Sequence, residues 1–211
     1  MTLTEKKHNL FSKQRLLLFF SLKTLGRRML DKQISPIISK YCNGNVLEIG
    51  ALNSPYKRYM NFKSYSVLDI NNEDADYNMD IHKNKIKSSS FDTVIATQVL
   101  EHLYNPFLAI KEVFRILKTG GYFIGSTVFL YPYHGEPRDY FRFTEFGLKK
   151  IFEDFNIVKM IKLGNPTAVV IDLLTVEYKF LKPIRLLTPM LKKETKKNTK
   201  IPIGFIIVAQ K

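Results

Sequence analysis

Cysteine is almost missing from this chain: Cys42 is the only one. A lone cysteine closes no intramolecular disulfide, and no paired Cys or Cys/His spacing offers a zinc ligand set, so a reducing compartment is expected. Long apolar runs are missing too. The run Leu16 to Phe20 lies between Arg15 and Lys23, lacks a small-residue cleavage site and falls far short of the roughly 20 residues that cross a bilayer. Neither a signal peptide nor a membrane span is expected, and the expected location is the cytoplasm. Glycine is scarce where a phosphate would need it. After Gly50 come Ala51, Leu52, Asn53 and Ser54, whereas a dinucleotide site closes several glycines around a pyrophosphate at a helix N-terminus. NAD is therefore disfavoured. Internal repeats are absent, and 211 residues, 45% of them apolar, suffice for one layered domain.

What is present around Gly50 is an apolar strand, Val46-Leu47-Glu48-Ile49, a tight turn, and a second apolar strand, Tyr65-Ser66-Val67-Leu68, ending in Asp69. In a doubly wound sheet ligands sit outside the carboxyl ends of the strands, so Glu48, Gly50 and Asp69 are expected to face one crevice. An acidic group at a strand tip suits a ribose diol, and S-adenosylmethionine has an adenosine without phosphates. Further strands are expected near Thr93 to Thr97, Tyr122 to Val128, Asn156 to Leu163 and Ile203 to Gln210. Helices are expected over Lys6 to Tyr41, Ser54 to Asn61, Pro106 to Leu117, Thr144 to Asp154 and Thr167 to Leu187.

Six blocks in order then resemble the class I S-adenosylmethionine-dependent methyltransferases of the type 11-like group. They are the Gly50 turn, Asp69, Asp80-Ile81-His82, Ser90 to Leu103, Asn105-Pro106 with its helix, and Lys118-Thr119-Gly120-Gly121. The resemblance implies an α/β, Rossmann-like doubly wound, mostly parallel seven-stranded sheet with an antiparallel last strand, plus an N-terminal helical extension. The extension is placed at 1–44 and the methyltransferase domain at 45–211. It also implies S-adenosylmethionine as cofactor, with roles for named residues. Glu48 binds the methionine amino group, Gly50 admits the cofactor to the backbone, and Asn53 makes a polar contact or caps the next helix. Asp69 accepts the ribose hydroxyls, Ile70 packs on the adenine, Asp80 takes the exocyclic amine and Ile81 gives a backbone N–H to the ring. Thr97 and Gln98 lie beside the methionine. Where the family usually carries a further glycine, this chain has Leu52. Some relatives bind a divalent metal through an acid-acid-His cluster. Here Gln98 replaces the first acid, so Glu101 and His102 are assigned to fixing the turn, or His102 to the acceptor, and no metal is expected.

The acceptor is expected to be read by Phe129 to Thr144, a long connector rich in aromatics, Pro and Gly. Its pattern resembles a subgroup linked to bacterial surface-glycan and lipid-linked sugar biosynthesis. His134 is the candidate general base, its unperturbed pKa lying near neutrality, and Asp139 orients it or replaces it. Arg138 and Arg142 suit an anionic acceptor, while Tyr131, Tyr133 and Tyr140 offer flat faces to a sugar ring. The expected reaction is methylation, by expectation at oxygen, of a small-molecule, sugar or lipid-linked glycan acceptor.

Charge is placed unevenly. The net charge is +14, yet residues 46–175 hold fifteen groups of each sign, and the excess sits in residues 1–45 and 176–200. The first flank interleaves its cations with Leu and Phe, a pattern that lies in a membrane interface. It equally suits a helix packed on the sheet or on a second subunit in a homodimer. Peripheral contact at the inner face of the membrane thus stays open. An RNA or DNA methyltransferase using the basic flanks, and a non-catalytic adenosine-ligand-binding or assembly protein on the same fold, are the two alternatives.

Overall fold

The computed structural model describes residues 23–51, 53–133, 135, 138–186 and 199–211. Six strands are found among them: β1 (Asn43–Ile49), β2 (Asn61–Leu68), β3 (Phe91–Thr97), β4 (Leu117–Val128), β5 (Asn156–Leu163) and β6 (Gly204–Gln210). They make one sheet in the order β2-β1-β3-β4-β6-β5. The pairs β1/β2, β1/β3 and β3/β4 are parallel, and β6 is antiparallel to both β4 and β5. The chain first steps from β1 to β2 on one side, then returns to β3 on the other. That reversal opens a crevice at the carboxyl ends of β1 and β3.

Seven strands were expected; the described residues form six. Where a further strand would flank β2 there is a single bridge, Leu68 to Tyr77. The segment around it, Asn71 to Asp80, is rich in Asn and Asp and has too few apolar residues to bury a strand face.

The described residues form four α-helices: α1 (Leu25–Tyr41), α2 (Pro106–Ile116), α3 (Glu145–Ile151) and α4 (Pro166–Glu177). Helix α1 starts where Thr24 Oγ1 accepts the Arg27 N–H at 3.2 Å, and its stripe Leu30, Ile34, Ile37 and Ile38 packs on Val46, Ile95, Ile124 and Val208. Helix α2 starts with Asn105 as cap and Pro106 in the first turn, where a missing N–H costs nothing. Its Ala109, Ile110 and Val113 pack on the opposite sheet face with Leu47, Val94 and Phe123. Alternation along β1 thus sends Val46 toward α1 and Leu47 toward α2, and it puts Glu48 on the α1 side.

Two expected helices are shorter. Instead of a helix from Ser54 to Asn61, only a 3₁₀ turn forms at Lys57–Tyr59 before β2 begins at Asn61. The helix expected to reach Leu187 ends as α-helix at Glu177 and continues as a 3₁₀ helix, Lys179–Leu186. Pro183 lacks the N–H and disfavours helical geometry at the residue before it. Much of the segment Lys6 to Tyr41 lies outside the described residues; α1 is the part within them. No described helix is long and apolar enough to cross a membrane.

Candidate active site

The crevice is built around Gly50. It takes φ +70°, a left-handed conformation that glycine adopts without a Cβ penalty, and a Cβ there would stand 2.7 Å from Val99 Cγ2, just beyond β3. Its N–H donates to Leu68 O at 2.9 Å, so the β1 turn is sewn to the end of β2. Asp69 follows at once. Its Oδ1 accepts the Asn71 N–H at 2.8 Å, and the carboxylate stays half-buried. Ile70 beside it is 56% exposed, a large apolar side chain at the lip of the crevice. The two strand tips read as one site are therefore adjacent.

Glu48 is 1% exposed and points to the α1 side. Its Oε2 accepts the Tyr65 hydroxyl at 2.5 Å, and Tyr65 in turn hydrogen-bonds Ser54. Burial raises the Glu48 carboxyl above its ordinary range, with Tyr65, Ser54 and Lys57 opposing. Glu48 thus braces the turn from behind through Tyr65. Sequence reasoning missed Tyr65, although strand alternation contained it: Tyr65 pairs with Val46 and so lies on the face of Glu48. Asn53 is exposed in the turn, and Leu52 lies outside the described residues.

Asp80 is the cap of a 3₁₀ turn, Ile81–Lys83. Its Oδ1 accepts the His82 N–H at 2.9 Å and meets His82 Nδ1 at 2.5 Å, while Oδ2 accepts the Tyr104 hydroxyl at 3.2 Å. Tyr104 stacks on the His82 ring at 3.9 Å. Burial works to raise the Asp80 carboxyl, but these donors outweigh it and hold it below the usual range. Ile81 is buried beneath. Neither His82 nor Tyr104 was singled out from sequence as a partner of Asp80.

Thr97 ends β3, and Gln98 takes φ +58°. The Gln98 backbone N–H donates to Ser126 O at 2.9 Å and its Nε2 to Ser126 Oγ at 3.1 Å, tying this turn to β4. His102 Nδ1 meets Arg138 O at 2.6 Å, and the Glu101 carbonyl accepts the Tyr140 N–H at 2.8 Å. The Glu101 side chain is fully buried; burial raises its carboxyl, against Thr127, His102 and Arg142. The loop after β4 is thereby pinned onto the turn after β3. Among the described residues no group of three or more His, Cys, Asp or Glu could hold a metal ion.

Within the loop the predicted residues divide. Tyr133 is 78% and Tyr140 43% exposed, and Arg138 is exposed with its Nη1 at 3.4 Å from Tyr140 Oη. Asp139 is gripped by both terminal nitrogens of Arg142, whose Nη2 also reaches Pro132 O at 3.4 Å. That pair holds the loop to itself. Tyr131 is half-buried and turned toward Thr24, Asp172 and Arg185, away from Tyr133 and Tyr140 in its contacts; burial raises its hydroxyl pKa. His134 lies outside the described residues, as do Glu136 and Pro137.

Residues 47–125 match the family model described as a methyltransferase domain. Among solved structures, an S-adenosylmethionine-dependent methyltransferase from Archaeoglobus fulgidus is 19% identical, with TM-score 0.54 over 89% of this chain and 93% of that one. One from Mesorhizobium loti is 13% identical, with TM-score 0.54 over 84% and 96%. The protein that the Haloferax volcanii Trm112 methyltransferase activator binds is 14% identical, with TM-score 0.56 over 88% and 92%. No curated protein matches the chain in sequence. The residues present fit the cofactor that goes with this fold: the left-handed Gly50 turn packs closely on Val99 at the end of β1, and a carboxylate stands at the neighbouring strand tip. Residues 47–125 thus match a methyltransferase domain, and the chain has the fold of solved S-adenosylmethionine-dependent methyltransferases.

Proposed function

We propose that the chain methylates a hydroxyl of a small polar acceptor, a sugar or lipid-linked glycan. The observation that carries this reading is the pinning of the loop over the β3 turn by His102 to Arg138 O and Tyr140 N–H to Glu101 O. It holds exposed Tyr133 and Tyr140, flat faces suited to a sugar ring, and exposed Arg138, suited to an anionic substituent, at the crevice rim.

On this reading Asp69 holds the ribose hydroxyls, Ile70 covers the adenine, and Asp80 with the Ile81 N–H takes the adenine edge. Gly50, Thr97 and Gln98 line the methionine part, and Glu48 serves it through Tyr65 and the turn. When bound, the cofactor supplies an electrophilic methyl on a sulfonium centre. What the chain must add is alignment of the acceptor oxygen with that methyl and removal of a proton. His134, between Tyr133 and Gly135, takes that proton, and the Asp139–Arg142 pair keeps the loop in shape for it.

The test is a screen with methyl-labelled S-adenosylmethionine against free sugars, lipid-linked glycan extracts and RNA. Label in the sugar or glycan fractions, lost in His134→Ala while S-adenosylhomocysteine still binds, is the expected result. Label confined to RNA overturns the acceptor class, and no binding of S-adenosylhomocysteine overturns the enzyme reading itself.

A further inference from the structure

Helix α4 carries apolar side chains on both faces. Toward the protein it turns Ala168 and Val169 together with Asp172, 1% exposed, and Thr175, fully buried, while outward Val170, Leu173 and Leu174 are 53%, 38% and 43% exposed. In the 3₁₀ helix that follows, the buried residue is charged and the apolar ones face out: Arg185 is 2% exposed, Phe180 72% and Leu186 58%. A surface helix ordinarily gives its apolar stripe to the core. Here the inward polar groups are bonded. Asp172 accepts the N–H groups of Leu25 and Gly26 at 2.8 and 2.7 Å, and Arg185 Nε donates to Thr175 Oγ1 at 2.7 Å. The orientation is therefore fixed, and it leaves Val170, Leu173, Leu174, Tyr178, Phe180 and Leu186 as an outward apolar face. Exposed apolar patches of this kind mark a binding surface.

Charge identifies the occupant. Among the described residues, Lys179 and Lys182 of the 3₁₀ helix stand beside one acid, Glu177, and the first turns of α1 carry Arg27, Arg28 and Lys32 against Asp31. These two segments are far apart in sequence, yet they meet here: Asp172 caps α1, and Arg28 Nη1 donates to Arg185 O at 3.2 Å. An apolar face with cationic segments of this kind complements an anionic lipid surface, whose headgroups attract Lys and Arg while its acyl boundary takes the aromatic and aliphatic side chains.

We propose that the outer face of α4 and the 3₁₀ helix Lys179–Leu186 seats the protein on an anionic bilayer surface. The inner side of α4 meets Leu130, which packs with Leu25, Ala168 and Val169 at the start of the acceptor loop. The loop therefore begins about one helix diameter, ~10 Å, from the lipid, close enough to receive an acceptor presented there. The docking face stands on its own, whatever acceptor the site takes.

The experiment is co-sedimentation of the full chain with vesicles of phosphatidylcholine alone or mixed with phosphatidylglycerol. Binding to the mixed vesicles, weakened by salt and slight on phosphatidylcholine alone, is expected. Leu174→Ser with Phe180→Ser should lower the partition constant by about tenfold or more, since both lose buried apolar area, with thermal melting unchanged because both side chains are exposed. Glu177→Lys should raise it. Failure of the chain to bind mixed vesicles, equal binding by the double variant, or no response to Glu177→Lys overturns the proposal. So does a doubled solution mass that the double variant abolishes, which would assign the face to a second copy of the chain.

Discussion

At the scale of single residues the site rests on two positions whose substitution has opposite signatures. Asp69 is a half-buried carboxylate with one neighbouring N–H donor, so Asp69→Ala should cost little stability, within roughly 0.5 kcal/mol as for most partly exposed sites. If Asp69 holds the ribose as proposed, the substitution removes charge-assisted hydrogen bonds worth about 1.5–3 kcal/mol each, so affinity for S-adenosylhomocysteine should fall by at least about tenfold in calorimetry. An unchanged affinity would show that the ribose is held elsewhere. Gly50→Ala does both kinds of harm. The left-handed φ and the 2.7 Å approach to Val99 predict a loss of roughly 1–3 kcal/mol from backbone strain and overpacking, with cofactor binding impaired as the turn shifts.

Glu48 gives a pH signature at the same scale. Its folded-state carboxyl is raised, chiefly by burial, so the folded protein holds the proton more tightly than the unfolded chain. The stability this contributes is full below the ordinary glutamate pKa and is lost as pH rises through the folded value. Glu48→Gln cannot ionise and can still accept from Tyr65. The melting temperature of the variant relative to the native chain should therefore rise between acidic and neutral pH; a flat difference would mean that Glu48 titrates as it does in water.

At the scale of elements, the capping of α1 is the sharpest case. Asp172, about 150 positions away in sequence, takes the two first N–H groups of that helix, and Gly26 is required there because a Cβ would come 2.7 Å from Ile203 Cγ2. Replacing Asp172 with Ala strands two helix N–H groups and removes the carboxylate beside buried Arg185. A cost of roughly 3–5 kcal/mol is expected for breaking such a buried arrangement, read as a lowered melting temperature with faster amide exchange at Leu25 and Gly26. None of this was legible in the sequence, where Asp172 looks like an ordinary polar residue within an apolar helix. The strands were legible because their apolar runs of Val and Ile are local signals: β3, β5 and β6 stand within two residues of where patterning places them. What patterning misplaced depends on tertiary context. The residues after Gly50 had helical composition but too little length before β2, and the edge strand beside β2 lacked apolar residues to bury.

At the scale of the whole molecule, the sheet gathers three separate turns, after β1, β2 and β3, and ties the loop that follows β4 to the third. Gly50 and Asp69 were readable because a left-handed turn and a strand-tip carboxylate leave marks in a few adjacent letters. The clamp of His82 and Tyr104 on Asp80, and that of His102 on Arg138, were not, since each joins residues through the fold rather than along the chain. The second clamp makes the two halves of the site separable. His102→Ala removes the bond to Arg138 O but touches neither Gly50 nor Asp69. Amide exchange at Tyr140 and Phe141, whose N–H groups reach the Glu101 carbonyl, should therefore accelerate as the loop opens locally, while S-adenosylhomocysteine binds within about twofold of the native affinity. If the ligand affinity fell with the protection, loop and cofactor turn would form one cooperative unit, and acceptor selection could not be altered without disturbing the donor.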